Sequence, residues 1–82
     1  SQGIEITVRM DKSLEFLAID FFGEENIIKN ADNLYITFHS EYPSWVITTF
    51  ASLGEKAEII SPNSLRTEVK DFLKNALKQY EI

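Results

Sequence analysis

Three side chains on two predicted strands could together hold an anion or a nucleobase. Arg9 lies in the first predicted strand, and Tyr35 and His39 lie in the third. The period-two alternation of each strand places all three on the same side of a sheet. A guanidinium group donates hydrogen bonds to phosphate oxygens, and aromatic rings stack on bases. We therefore expect these residues to form a ligand face, although the same face would equally suit a polar subunit interface or lie beneath the last helix.

The residue types give little support for metal binding or catalysis. The chain has no cysteine and a single histidine, so neither a thiolate metal site nor a histidine cluster can form. No nucleophile has an adjacent base. The segment after the first strand lacks glycine and carries Asp11 where the phosphate loop of an acylphosphatase would hold an anion. We expect no catalysis, no metal and no cofactor.

The charge distribution bears on nucleic-acid binding. The net charge is −5, whereas domains that read DNA usually carry a basic excess. Basic residues do recur every four positions in the last predicted helix, a pattern that more often marks a solvated helix face. An RNA-recognition module would need stacking aromatics on both central strands, and the first strand offers none on that side. We expect that this chain does not bind DNA directly.

Three further residues are candidates for an interface. Phe16 and Ile19 point away from the main apolar face of the first predicted helix, and exposed apolar side chains can mark an association surface. Trp45 opens the second predicted helix on the flank of its apolar side. Phe16, Ile19 and Trp45 are therefore the predicted dimer or interdomain contact. Packing at the edge of the core would account for Trp45 equally well.

The elements that position these residues follow from hydrophobic periodicity. Alternation predicts strands over residues 4–10, 26–29, 34–41 and 56–60, and helical spacing predicts helices over 11–22, 43–53 and 62–80. The order β-α-β-β-α-β contains two split β-α-β units with right-handed crossovers. We therefore predict an α+β fold, a ferredoxin-like two-layer sandwich with an additional C-terminal helix.

The length and the ends of the chain bound its organisation. The 82 residues allow one domain. The chain does not begin with methionine, so residues 1–3 are interpreted as the remnant of a cleaved tag and residues 4–82 as a single regulatory domain from a longer protein. No apolar run approaches the roughly 20 residues of a membrane span. With no cysteine present, we expect a cytoplasmic protein without membrane contact.

An ordered set of residues resembles a known family. An aromatic residue opens a helix that ends at glycine, a strand follows, and a Pro-x-x-Leu segment leads into the last helix. The positions that carry this pattern are Trp45, Phe50, Leu53, Gly54, Ile59, Pro62, Leu65 and Arg66. In this pattern the sequence is similar to the C-terminal extension, WCX, of bacterial transcriptional regulators that carry a WYL domain, including DeoR-type helix-turn-helix regulators. Ser61 stands where the family usually has an acidic residue before the proline, and we expect it to be an equally good N-cap for the last helix.

The resemblance implies a function for the domain. The WYL and DNA-binding domains would lie upstream in the same chain, and this domain would contribute to homodimerisation or to the response to an effector. A nucleotide or an oligonucleotide is the effector that the ligand face would suit. The alternative is a stand-alone ferredoxin-like module that senses a small molecule.

Overall fold

The computed structural model of the protein describes residues 3–81. Residues 1 and 2 of the predicted tag remnant, and residue 82 of the predicted domain, lie outside the described residues. Within the described range no helix combines the length and the apolar content that crossing a membrane requires.

Within residues 3–81, four strands and three helices follow one another in the predicted order. The strands are β1 (Ile4–Asp11), β2 (Ile27–Asn30), β3 (Asn33–Ser40) and β4 (Ala57–Ser61). The helices are α1 (Glu15–Phe22), α2 (Pro43–Ser52) and α3 (Asn63–Lys78), and short 3-10 turns precede α1, β2 and β4.

The strands form one antiparallel sheet in the order β2-β3-β1-β4. The strands β1 and β3 are central, as two split β-α-β units require. Helix α1 lies against β1, β2 and β3, and α2 lies against β4, so both cover the same face. The predicted ferredoxin-like sandwich with an additional C-terminal helix is therefore confirmed.

The core lies between the sheet and the helices, and period-two alternation explains its composition. The even-numbered residues Ile6, Val8 and Met10 of β1 are fully buried, while their odd-numbered neighbours face the other side. The remaining core comes from β3, β4 and all three helices. It comprises Ala18, Leu34, Ile36, Val46, Phe50, Ala57, Ile59 and Leu65.

Two helix boundaries differ from the prediction. Asp11 accepts a hydrogen bond from the Ser13 amide at 2.9 Å, but the turn that it caps is a 3-10 turn, and α1 begins only at Glu15. At the start of α3, Ser61 does not serve as the N-cap. It pairs with Thr7 and continues β4, so the N-cap position falls to Pro62.

The Asn and Asp residues between β2 and β3 favour a tight hairpin turn, but the left-handed position of that turn is taken by another residue. The turn uses Ala31 in the left-handed region, with φ 57°, although the flanking Asn and Asp residues tolerate that conformation better. Because the register Asn30↔Asn33 fixes the two central positions of the turn, the sequence leaves no choice of residue there.

Candidate functional site

The ligand face is assembled as the alternation predicts. In the β1–β3 register Arg9 lies opposite Tyr35, and Glu5 lies opposite His39. Their side chains project from the face that α1 and α2 leave uncovered. Helix α3 packs mainly against α2 and β4, and His39 remains exposed, so the last helix does not cover this part of the sheet.

The guanidinium group of Arg9 already donates hydrogen bonds to other residues of this chain. Its Nη1 donates to the side-chain oxygen of Asn33 at 2.9 Å, its Nε to Glu58 at 3.3 Å, and its Nη2 to the carbonyl of Glu55 at 3.3 Å. All three guanidinium nitrogens therefore have acceptors in the folded chain. A phosphate ligand would therefore have to compete with the Glu58 carboxylate for Arg9. In this structure the Arg9 side chain links β1 to β3 through Asn33 and to β4 through Glu58, and we call these contacts the bracing of the sheet.

The second half of this bracing is Arg66, which the ligand-face prediction did not include. Its Nη1 lies 2.7 Å from Glu58 Oε2 and donates to the carbonyl of Ile59 at 2.7 Å. Glu58 therefore lies between two guanidinium groups, one from β1 and one from α3. The hydrogen bond from Arg66, assisted by the one from Arg9, lowers the pKa of the Glu58 carboxyl below its ordinary value of 4.5.

This bracing predicts an acid-dependent contribution to stability. The pKa of Glu58 is lower in the folded chain than in the unfolded one, so the stabilisation is complete above pH 4.5 and is lost as the pH falls through the folded pKa. Urea unfolding of wild type and Glu58→Gln should therefore differ most above pH 4.5, and the difference should shrink at lower pH. In an Arg66→Gln background the same comparison should give a smaller gap. A gap that grows on acidification would contradict this prediction.

The other two ligand-face residues have weaker fixed contacts. His39 Nε2 lies 3.9 Å from Glu5 Oε2 at an exposed position, and the neighbouring hydroxyls of Thr7 and Thr37 bond to each other at 2.9 Å. Tyr35 is half-buried beside Arg9. Among residues 3–81, no group of three or more His, Cys, Asp or Glu side chains lies close enough to hold a metal ion.

The three predicted interface residues differ in their exposure and contacts. Trp45 is 40 % exposed and contacts the rings of Phe21 and Phe38 at centroid distances of 6.3 and 6.1 Å. Phe16 is 86 % exposed and lies about 140° around α1 from Phe21, since each helical residue turns about 100°. Ile19 is half-buried. Trp45 thus packs at the edge of the core, whereas Phe16 projects into solvent from α1.

A larger apolar surface lies on α3, where the sequence pattern predicts only an ordinary core-facing stripe. Leu65 is buried and Val69 is half-buried, but every described residue after Val69 is exposed. The helix therefore extends beyond the body of the domain with its apolar side uncovered. We call these uncovered residues the α3 tip; they are Phe72, Leu73, Leu77 and Tyr80, whose exposure ranges from 44 % to 84 %.

A cleft separates the base of α3 from the edge strand β4. It encloses about 370 Å³, with Ala57, Glu58 and Ile59 on the strand side. The helix side presents apolar groups next to basic ones. The helix-side lining comprises Asn63, Arg66, Thr67, Val69, Lys70 and Leu73.

Comparison with known proteins identifies a family. The sequence matches the family model of the WCX domain over residues 2–77, which include the whole sheet, α1, α2 and nearly all of α3. No curated protein matches the sequence.

Proposed function

The chain belongs to the WCX domain family, and we propose that it serves as a non-catalytic regulatory and association domain of a bacterial WYL-type transcriptional regulator. In this proposal the WYL and DNA-binding domains lie elsewhere in the same chain. This domain brings two copies of the regulator together, and it leaves DNA reading to the upstream domain.

The observation that carries the proposal is the α3 tip. An isolated domain gains nothing from presenting a phenylalanine, two leucines and a tyrosine on one side of a helix that leaves its own core. Burying such side chains against a second copy would remove apolar surface from water at about 25 cal/mol per Å². A symmetric homodimer is the commonest way for a soluble chain to bury a self-complementary patch.

Sedimentation equilibrium of the 82-residue chain tests the association. We expect the average mass to rise with concentration towards that of two chains. The variant Leu77→Asp should stay monomeric, because it places a carboxylate in the centre of the α3 tip. The matched control Phe16→Asp introduces the same charge at an exposed apolar position on α1 and should associate like wild type.

Two results would count against this proposal. The first is a wild-type chain that stays monomeric up to millimolar concentration, because the α3 tip would then not mediate association. If Phe16→Asp prevented association and Leu77→Asp did not, the contact would lie on α1 instead. The regulator context is tested separately by the complete reading frame, which should encode a helix-turn-helix upstream of this domain.

A further inference from the structure

The cleft between β4 and α3 has the parts of a peptide-binding groove. One wall is the edge strand of the sheet, and the other is an amphipathic helix with Val69 and Leu73 turned towards the strand. Edge strands present unpaired main-chain groups, and an extended peptide can satisfy them by adding a strand. A helix that overhangs such an edge covers the added strand from above.

Two hydrogen bonds determine which main-chain groups of β4 point into the cleft. The amide of Lys12 donates to Asp32 across the β1–β3 ladder, so the even-numbered residues of β1 are directed at β3 and the odd-numbered ones at β4. Arg9 pairs with Glu58, so the main chain of Glu58 is directed at β1. The N–H and C=O groups of Ala57 and Ile59 therefore point outward. The bond from Arg66 to the carbonyl of Ile59 agrees with this assignment.

The outward groups set the length of strand that can pair. The Ile59 carbonyl is taken by Arg66, and the register shift opposite Thr7 and Val8 makes Ile60 an extra, bulged residue. Pairing is thus limited to Ala57–Ile59, where both groups of Ala57 and the amide of Ile59 remain directed at the cleft. An occupant must draw the rest of its binding energy from α3.

The charge of the cleft selects the kind of peptide. Arg66 shares the single carboxylate of Glu58 with Arg9, and the ammonium group of Lys70 has no hydrogen-bond or ion-pair partner within residues 3–81. A carboxylate next to Lys70 would therefore meet an uncompensated positive charge at the rim. Apolar side chains at alternate positions would meet Val69 and Leu73, because every second residue of a strand faces the same side.

We propose that this cleft binds an extended peptide segment that pairs with Ala57–Ile59 as an added strand, with apolar side chains at alternate positions under α3 and a carboxylate beside Lys70. The proposal goes beyond the association of two copies, since the cleft is formed with β4 and, of the α3 tip, only Leu73 also lines it. Neither requires the other.

The test uses the Leu77→Asp variant, so that association through the α3 tip does not interfere. The probe is a short, fluorescently labelled synthetic peptide in which valine alternates with threonine and an aspartate lies at one end. We expect saturable binding with a Kd below about 1 mM. Amide chemical shifts should move at Ala57–Ile59, and methyl groups on the peptide nitrogens that face β4 should abolish binding.

A pair of charge reversals on one helix makes the test specific. Lys70→Glu should weaken binding about fivefold, whereas Lys78→Glu, the same change outside the cleft lining, should alter it less than about twofold. Circular dichroism should show both variants folded, because both lysines are exposed.

Three outcomes would overturn the proposal. One is the absence of saturation at about 1 mM peptide. Another is full binding by the N-methylated peptide, since that would exclude strand pairing. The third is equal weakening by Lys70→Glu and Lys78→Glu, because that would indicate a nonspecific charge effect. None of these results bears on whether wild type associates through the α3 tip, which sedimentation measures separately.

Discussion

Replacing Leu65 by alanine is expected to lower the free energy of unfolding by about 3 kcal/mol. At concentrations where the chain is monomeric, the same replacement at Leu77 is expected to change it by less than about 0.5 kcal/mol. The two leucines lie on the same apolar side of α3, but Leu65 is 2 % exposed and belongs to the core, whereas Leu77 is 56 % exposed. Removing a buried side chain leaves a cavity, and removing an exposed one does not.

Urea unfolding of the two variants, followed by circular dichroism, gives the comparison. The variant Leu65→Met keeps most of the volume and should lose less than about 1.5 kcal/mol, which separates cavity formation from general disruption of α3. Equal losses at Leu65 and Leu77, measured at a concentration where sedimentation shows a single copy, would mean that the α3 tip is covered in the monomer. That result would remove the basis for association through α3.

The placement of the ligand face could be predicted because it depends on alternation within two strands. Once β1 and β3 are neighbours, the period of two places Arg9 beside Tyr35 and Glu5 beside His39. The hydrogen-bond partners of Arg9 could not be predicted in the same way. Its acceptors come from both sides of β1, and Glu58 follows it by 49 residues in the chain. Which acceptors reach a guanidinium depends on the sheet order and the register of β4, and one sequence does not determine these by pattern alone.

The α3 surface shows a second limit of sequence patterns. Helical spacing identifies which side of α3 is apolar, and Leu65 confirms that this side begins in the core. The pattern does not show how far neighbouring elements extend to cover the helix. Helix α2 ends at Ser52 and β4 has only five residues, so the sheet and helix layers stop before α3 does. Exposure of the tip follows from these lengths, not from the residues of α3 themselves.

The turn between β2 and β3 shows a third limit. The Asn and Asp residues predict a tight hairpin, but hydrophobic pairing on both sides fixes the register and therefore which residue takes the left-handed position. That position falls to Ala31. Local preference was overruled by the pairing of the strands, which contributes more to stability than the conformational cost of about 1–2 kcal/mol at one residue.

Replacing Phe38 by alanine is expected to lower the free energy of unfolding by about 2–3 kcal/mol, the second large effect. Phe38 lies between two other rings, with centroids 4.6 Å from Phe22 and 6.1 Å from Trp45, and it packs against the core from β3. Its removal would leave a gap between α1 and α2 that neither ring can fill without leaving its own contacts. Because Phe38 is only partly buried, the loss should be smaller than for a fully buried phenylalanine.

Trp45 is the single tryptophan of the chain, so its fluorescence reports directly on this cluster. In Phe38→Ala the emission should shift to longer wavelength, because water gains access to the indole. The control Phe16→Ala makes the same chemical change at a position that is 86 % exposed and should alter neither the emission nor the stability by more than about 0.5 kcal/mol. If Phe16→Ala cost as much as Phe38→Ala, Phe16 would have a partner in solution. The interface would then include α1, as the sequence pattern predicts for Phe16 and Ile19.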